Sequence, residues 1–174
     1  MMAILSIGRA ALAGFLGLAL WPAAAFAQSL PAASTSIIMT VTGLDPAVHP
    51  GGAVGFDVAM LEALGEKDIV TSSIWTEGTH VFTGVPLSAL AAYLNLGQVT
   101  LSLHALNDYA VEIPLAEVEG EVPILAYEMD GQPMPVRDKG PIWVIYPYDD
   151  GPQYRTDTAY TRSIWQLDRI DVLR

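Results

Sequence analysis

Residues 124–147 read ILAYEMDGQPMPVRDKGPIWVIYP, and this stretch decides the fold class. Two short apolar runs, Ile124–Met129 and Ile142–Tyr146, flank a connector rich in Gly, Pro and charge. Asp130-Gly131 is a turn signal, because Gly reaches positive φ at no steric cost. Pro133, Pro135 and Pro141 then forbid helix and hold the connector in an extended or turning path. The expected unit is strand, rigid loop, strand.

Upstream, Gln98–Leu106 (QVTLSLHAL) alternates apolar and polar residues over its whole length, which predicts a half-buried strand. Asn107-Asp108 is a turn pair and Tyr109–Ile113 alternates again, so the two segments form a hairpin. Pro114–Val118 starts a short helix with Pro at its first position. Further back, Ile37–Gly43 and Ile69–Thr76 have the β-branched composition of strands, with His80–Phe82 extended after the Glu77-Gly78 turn. Phe56–Leu64 carries Phe56, Met60, Leu61 and Leu64 at helical spacing, with Gly65 as a stop. Gly84-Val85-Pro86 opens a second helix, whose apolar stripe is Leu87, Leu90, Ala91 and Leu94. Asp45–Gly55, with its prolines and the Gly51-Gly52 pair, reads as loop.

Downstream, Asp149–Pro152 is a turn, Tyr154–Arg162 a loop or short helix, and Ser163–Leu167 and Arg169–Leu173 closing strands. Many short strands with two or three short helices predict an α+β domain with a mixed or largely antiparallel sheet system. Residues 37–174 form one domain after a flexible leader at 28–36.

The first 27 residues read as a targeting segment rather than as fold. Arg9 supplies a positive n-region, Ala10–Leu20 an apolar run and Ala25-Phe26-Ala27 a small-x-small cleavage pattern. The run is short for a membrane span and is closely followed by Pro22. Arg9 stands alone, so the twin-Arg signal that marks export of folded, cofactor-loaded proteins is missing. The expected location of the mature chain is periplasmic or secreted, with no membrane attachment after cleavage.

The chain of 174 residues carries 8 Lys and Arg against 19 Asp and Glu, a formal net charge of −11. Such a surface repels nucleic acid and anionic lipid, which excludes both as electrostatic partners. Cysteine is absent. That removes disulfides, thiolate nucleophiles and thiolate metal ligands together. No G-x-S-x-G elbow, P-loop or H-E-x-x-H occurs. His49 and His104 read as polar surface rather than ligands, and Asp149-Asp150 lacks the further oxygens of a calcium loop. No metal site is expected.

The opening stretch resembles the segment of the sulfite-oxidase-type molybdopterin-binding domain that carries an A-Y-E-M core and a following D-H-G. TEGTHVFTGVPLSALAAYL, residues 76–94, is similar to the family's aromatic-x-Gly-x-x-Leu stretch opening a helix, and YTRSIWQLDRI, residues 160–170, to its late GAR-x-VKWL-x-x-I stretch. Together the segments cover residues 37–173 in the family's order. The resemblance implies that family's fold, and a pocket that cradles pyranopterin-bound molybdenum with a Cys as metal ligand.

That Cys position falls within Ser72–Thr76, where Ser72, Ser73 and Thr76 offer only hydroxyls, poor substitutes for a soft thiolate. Lys139 stands where the family has the His of D-H-G, and Trp165 where it has a late Lys. Arg162 and Ser163 match the late motif. By resemblance the cofactor-side residues are therefore Arg162, Ser163, Lys139, Ser73 and Trp75, with Arg162, Lys139 and Arg137 supplying positive charge for an anion such as a pterin phosphate. No catalytic residue is singled out. Two readings stay open: an exported oxidoreductase-like domain that holds molybdopterin or another small anionic ligand, and a non-catalytic binding, sensory or accessory module that keeps the fold and meets a small ligand or a periplasmic protein. The missing thiolate favours a chain without molybdopterin.

Overall fold

The computed structural model describes Ala33 and residues 35–174. The targeting segment expected at 1–27, and most of the leader at 28–36, lie outside the described residues.

The chain runs through β1 (Met39–Thr42), β2 (Ala53–Phe56), α1 (Val58–Glu62), β3 (Lys67–Ser73), β4 (Thr76–Pro86), α2 (Leu87–Tyr93), β5 (Thr100–Ala105) and β6 (Ala110–Pro114). It continues with β7 (Ile124–Met129), β8 (Gln132–Pro133), β9 (Trp143–Ile145), α3 (Asp157–Arg162) and β10 (Leu167–Leu173), with single 3₁₀ turns between elements. None of the described helices is long and apolar enough to cross a membrane.

Two five-stranded sheets result. One has the order β2-β1-β10-β5-β6, in which β1 and β10 are parallel and the other pairs antiparallel. The other has the order β3-β4-β7-β8, with β9 also on β7, all antiparallel. This is the expected α+β architecture with mixed and antiparallel sheets and short helices.

The 124–147 stretch is the centre of the second sheet. Asp130 (φ 53) and Gly131 (φ 70) both take the positive φ of a two-residue hairpin turn and fold β8 back onto β7. The connector then carries the chain to β9, which pairs with the same edge of β7 further along, Ile124 opposite Ile145 and Ala126 opposite Trp143. Gly140 makes the connector possible, because a Cβ there would overlap the Met134 carbonyl.

Burial explains why both runs are apolar throughout rather than alternating. Leu125, Tyr127, Val144 and Tyr146 face the main core, whereas Ile124, Ala126, Trp143 and Ile145 face a smaller core with Ile69, Phe82 and Met134. A sheet covered on both faces needs apolar side chains at both parities.

Several boundaries differ from the sequence reading. Phe56 closes β2 rather than opening a helix; α1 starts beyond it, capped by Asp57, whose carboxylate accepts from Met60 N at 2.9 Å. The glycine-rich region before it holds β2, because Ala53–Phe56 completes the sheet edge against β1. Gly84–Pro86 ends β4, and α2 begins at Leu87. Ser163–Gln166 is not a strand. It lies beside β9 through isolated bonds, Val144 N to Ile164 O at 2.9 Å and Leu167 N to Ile142 O at 3.0 Å, and Gln166 at φ 53 breaks the extended path before β10.

Candidate functional site

Three segments converge on one cleft of about 390 Å³: the β3–β4 turn, the β5–β6 turn, and α3 with its exit. Each is placed by local chemistry. In the β3–β4 turn, Ser73 Oγ bonds Thr76 Oγ1 at 2.7 Å and accepts from Trp75 N at 3.2 Å. This side-chain brace fixes a tight reversal. Ile74 is turned out, 65% exposed, while Trp75 packs inward against both cores.

In the β5–β6 turn, Asn107 Oδ1 accepts from Tyr109 N at 3.1 Å, an Asx turn next to Asp108 in the left-handed region. Helix α3 is capped by Thr156, which accepts from Ala159 N at 3.2 Å. At its other end Ser163, 2% exposed, donates to Ala159 O at 2.7 Å and meets the Tyr148 hydroxyl at 2.6 Å.

The cleft is aromatic. The Trp75 ring makes edge contacts with Trp143 (5.9 Å between centroids), Tyr148 (6.2 Å), Tyr160 (5.8 Å) and Trp165 (5.8 Å). Tyr148 stacks on Tyr160 at 5.5 Å. Such pairs hold their rings in fixed orientations beyond what area burial alone would do. Burial also pushes the Tyr148 phenol well above its ordinary range, so it stays neutral. Trp143, fully buried, donates Nε1–H to Ser163 O at 3.1 Å, tying the floor of the cluster to the end of α3.

Among the residues expected at a cofactor, Trp75 and Ser163 line this cleft. Ser73 stands beside it as the brace of the turn. Lys139 reaches the same cluster from the connector, with Nζ 3.7 Å from the Trp165 ring centroid and 5.3 Å from that of Trp143. Partial burial pushes its ammonium below the usual lysine range. Gln166 sets this contact: its N donates to Lys139 O at 3.0 Å and its Nε2 to Val136 O at 2.7 Å.

Arg162 is not brought to the cleft. It lines the adjoining clefts instead, pairing with Glu117 at 2.8 Å and donating to Glu112 O at 3.2 Å. Beside it, burial pushes the Tyr146 phenol up to about 12, with Arg162 opposing the rise. Arg137 is exposed on the connector.

The segment expected at the metal is also engaged. Ser72 donates to Asp149 from its N at 2.6 Å and from Oγ at 2.8 Å, and Arg155 pairs with the same carboxylate at 2.6 Å. These bonds, the Ser72 amide first, hold the Asp149 carboxyl below its usual range. From sequence, Trp75, Trp143, Trp165 and the tyrosines could line an apolar pocket but read more readily as packing, and nothing singles out Asn107 and Thr161 as members of one cleft. The only signal was aromatic residues beside turn residues in segments distant along the chain.

Comparison with known proteins bears on the fold and the family. No curated protein matches the chain. Among solved structures, the sulfane dehydrogenase SoxCD from Paracoccus pantotrophus superposes with a TM-score of 0.53 at 13% identity, over 78% of this chain and 37% of that one. The likeness is one of fold, and the chain spans well under half the length of that protein's chain. Residues 59–151 match the family described as oxidoreductase molybdopterin binding domain. That match runs from α1 through the β3–β4, β5–β6 and β7–β8 hairpins to the turn after β9, more than half of the chain, and the two-sheet fold is that of a sulfite-oxidase-type member. The chain therefore belongs to the oxidoreductase molybdopterin binding domain family.

Proposed function

We propose that this chain is an exported binding module that keeps the molybdopterin-domain fold without the molybdenum chemistry. The observation that carries the reading is the Lys139 ammonium seated on Trp165 beside Trp75. By resemblance, Lys139 and Trp165 replace a His and a Lys on the cofactor side. Here they satisfy each other, and aromatic rings fill the space around them.

The residues present do not fit the molybdenum group. Where relatives supply a thiolate, Ser72 is held by Asp149, and Ser73 and Thr76 close their own turn. Hydroxyls already committed to hydrogen bonds are weak ligands for a soft metal site. Among the described residues no group of three or more His, Cys, Asp or Glu is placed to hold a metal ion. Of the cations expected to receive a pterin phosphate, Arg162 is paired with Glu117 and Lys139 is stacked on Trp165, which leaves Arg137, exposed on the connector and outside the cleft lining.

Export belongs to the same reading, supported by the targeting pattern at residues 1–27. Peptide sequencing of the exported protein is expected to begin at Gln28. Molybdenum and pterin analysis of protein made in a host that synthesises the cofactor tests the rest. Stoichiometric metal in the purified chain would overturn it.

A further inference from the structure

The cleft at Trp75 has no assigned occupant, and its chemistry restricts what can enter. Resting on the cofactor-free reading above, we propose that it binds a flat, uncharged aromatic or heteroaromatic molecule bearing a hydrogen-bond acceptor.

Charge is excluded from three directions. None of the residues lining the cleft is ionisable to an ion near neutral pH. A charged ligand would be desolvated there without a counter-ion, which is costly. An anion must also approach a chain of formal charge −11. A cation meets the opposite obstacle: Trp165, one of the two indole walls, already carries the Lys139 ammonium at 3.7 Å. That ring is therefore already engaged, and Lys139, which is not among the lining residues, is stacked on the indole rather than set in the cleft as a counter-ion.

Shape and polarity then select within neutral molecules. Trp75, Tyr109, Tyr160 and Trp165 supply ring surface, and a volume of about 390 Å³ suits a small ring system. Asn107 and Thr161 are the polar members of the mouth. Because Asn107 Oδ1 is occupied by Tyr109 N, the amide presents its NH₂ as a donor. A bound molecule therefore gains most from an acceptor such as a carbonyl.

Benzamide, benzoate and benzamidinium have nearly one shape and differ in charge, so they separate the terms. Each is titrated into the purified exported protein by ligand-observed NMR and calorimetry. Benzamide is expected to bind with a Kd on the order of 1 mM, as suits so small a ligand. The two ions are expected to bind at least about ten-fold more weakly. Tyr109→Ala at a half-exposed wall, and Asn107→Asp at an exposed turn, which keeps the acceptor for Tyr109 N but removes the NH₂ donor, should each weaken benzamide several-fold while the thermal transition stays in place.

Equal or tighter binding of either ion overturns the proposal, as does benzamide binding untouched by both variants. If none of the three binds, the ligand class is wrong, yet a molybdenum-free protein leaves the cofactor-free reading standing. Molybdenum near one per chain removes that reading whatever the probes do.

Discussion

The Nζ of Lys139 sits 3.7 Å from the centroid of the Trp165 ring, so the two positions that the resemblance sets against a His and a Lys are in direct contact. The change therefore behaves as a matched pair. A cation–π contact at a partly exposed site contributes about 0.5–1 kcal/mol. A double-mutant cycle with Lys139→Met and Trp165→Leu is expected to return a coupling energy of that size by chemical denaturation. Lys139→Arg should retain most of it, because a guanidinium also stacks on an indole. Zero coupling would mean that the two side chains are neighbours without being partners.

Arg162 offers the opposite lesson, since its guanidinium is spent on the fold. Its side chain is 17% exposed and holds Glu117 and the Glu112 carbonyl. Arg162→Ala should cost about 1 kcal/mol of stability, since the guanidinium is largely covered while its partner Glu117 is 55% exposed. Benzamide affinity should not change, and titration of the variant beside denaturant unfolding separates the two effects. A loss of ligand binding with full stability would return Arg162 to the site.

His80 and Asp130 tie the β4 strand to the β7–β8 turn, with Nδ1 and Oδ2 at 2.7 Å, while Val81 N donates to the same carboxylate at 3.0 Å. The hydrogen bond to Asp130 raises His80 above its ordinary 6.5, and the same bond lowers Asp130 below 3.8. The stability that His80 adds is fully present below pH 6.5 and is lost as pH rises through the raised value. That from Asp130 is present above pH 3.8 and is lost as pH falls through the lowered one. The pair therefore contributes most between those limits. In Asp130→Asn the NMR titration midpoint of His80 should move back toward 6.5, and an unmoved midpoint would contradict the contact.

Gly140 tests the connector. A Cβ there overlaps backbone of Met134, whereas one at Gly97 meets nothing within 4 Å. Gly140→Ala should destabilise by about 1–3 kcal/mol or more, the range for forced overpacking. Gly97→Ala should be close to neutral. Equal thermal transitions for the two variants would show that the connector yields freely.

The fold was legible where burial and turn chemistry act locally. The β7 and β9 runs are apolar at every position because both faces of their sheet are covered, and Asp130-Gly131 announces its hairpin. The strand expected at Ser163–Leu167 was half legible. Its residues do lie along β9, but Gln166 leaves the extended region to bond Lys139 O, a partner in another segment. The cleft was less legible still. Trp75 and Trp165 were visible through resemblance, but Tyr109 and Tyr160 join them only because two turns and α3 meet in space. Arg162 and Ser163 matched a motif, yet sequence could not say that their polar atoms would be used by Glu117, Tyr148 and Ala159.

The account stands or falls on what the folded chain carries. Native mass spectrometry of the protein recovered from the cells that make it measures this without dissociating a bound group. The prediction is a single species at the mass of the chain beginning at Gln28, unchanged when the cells are grown with excess molybdate. A species heavier by a pterin-bound molybdenum, lost on denaturation, would contradict it.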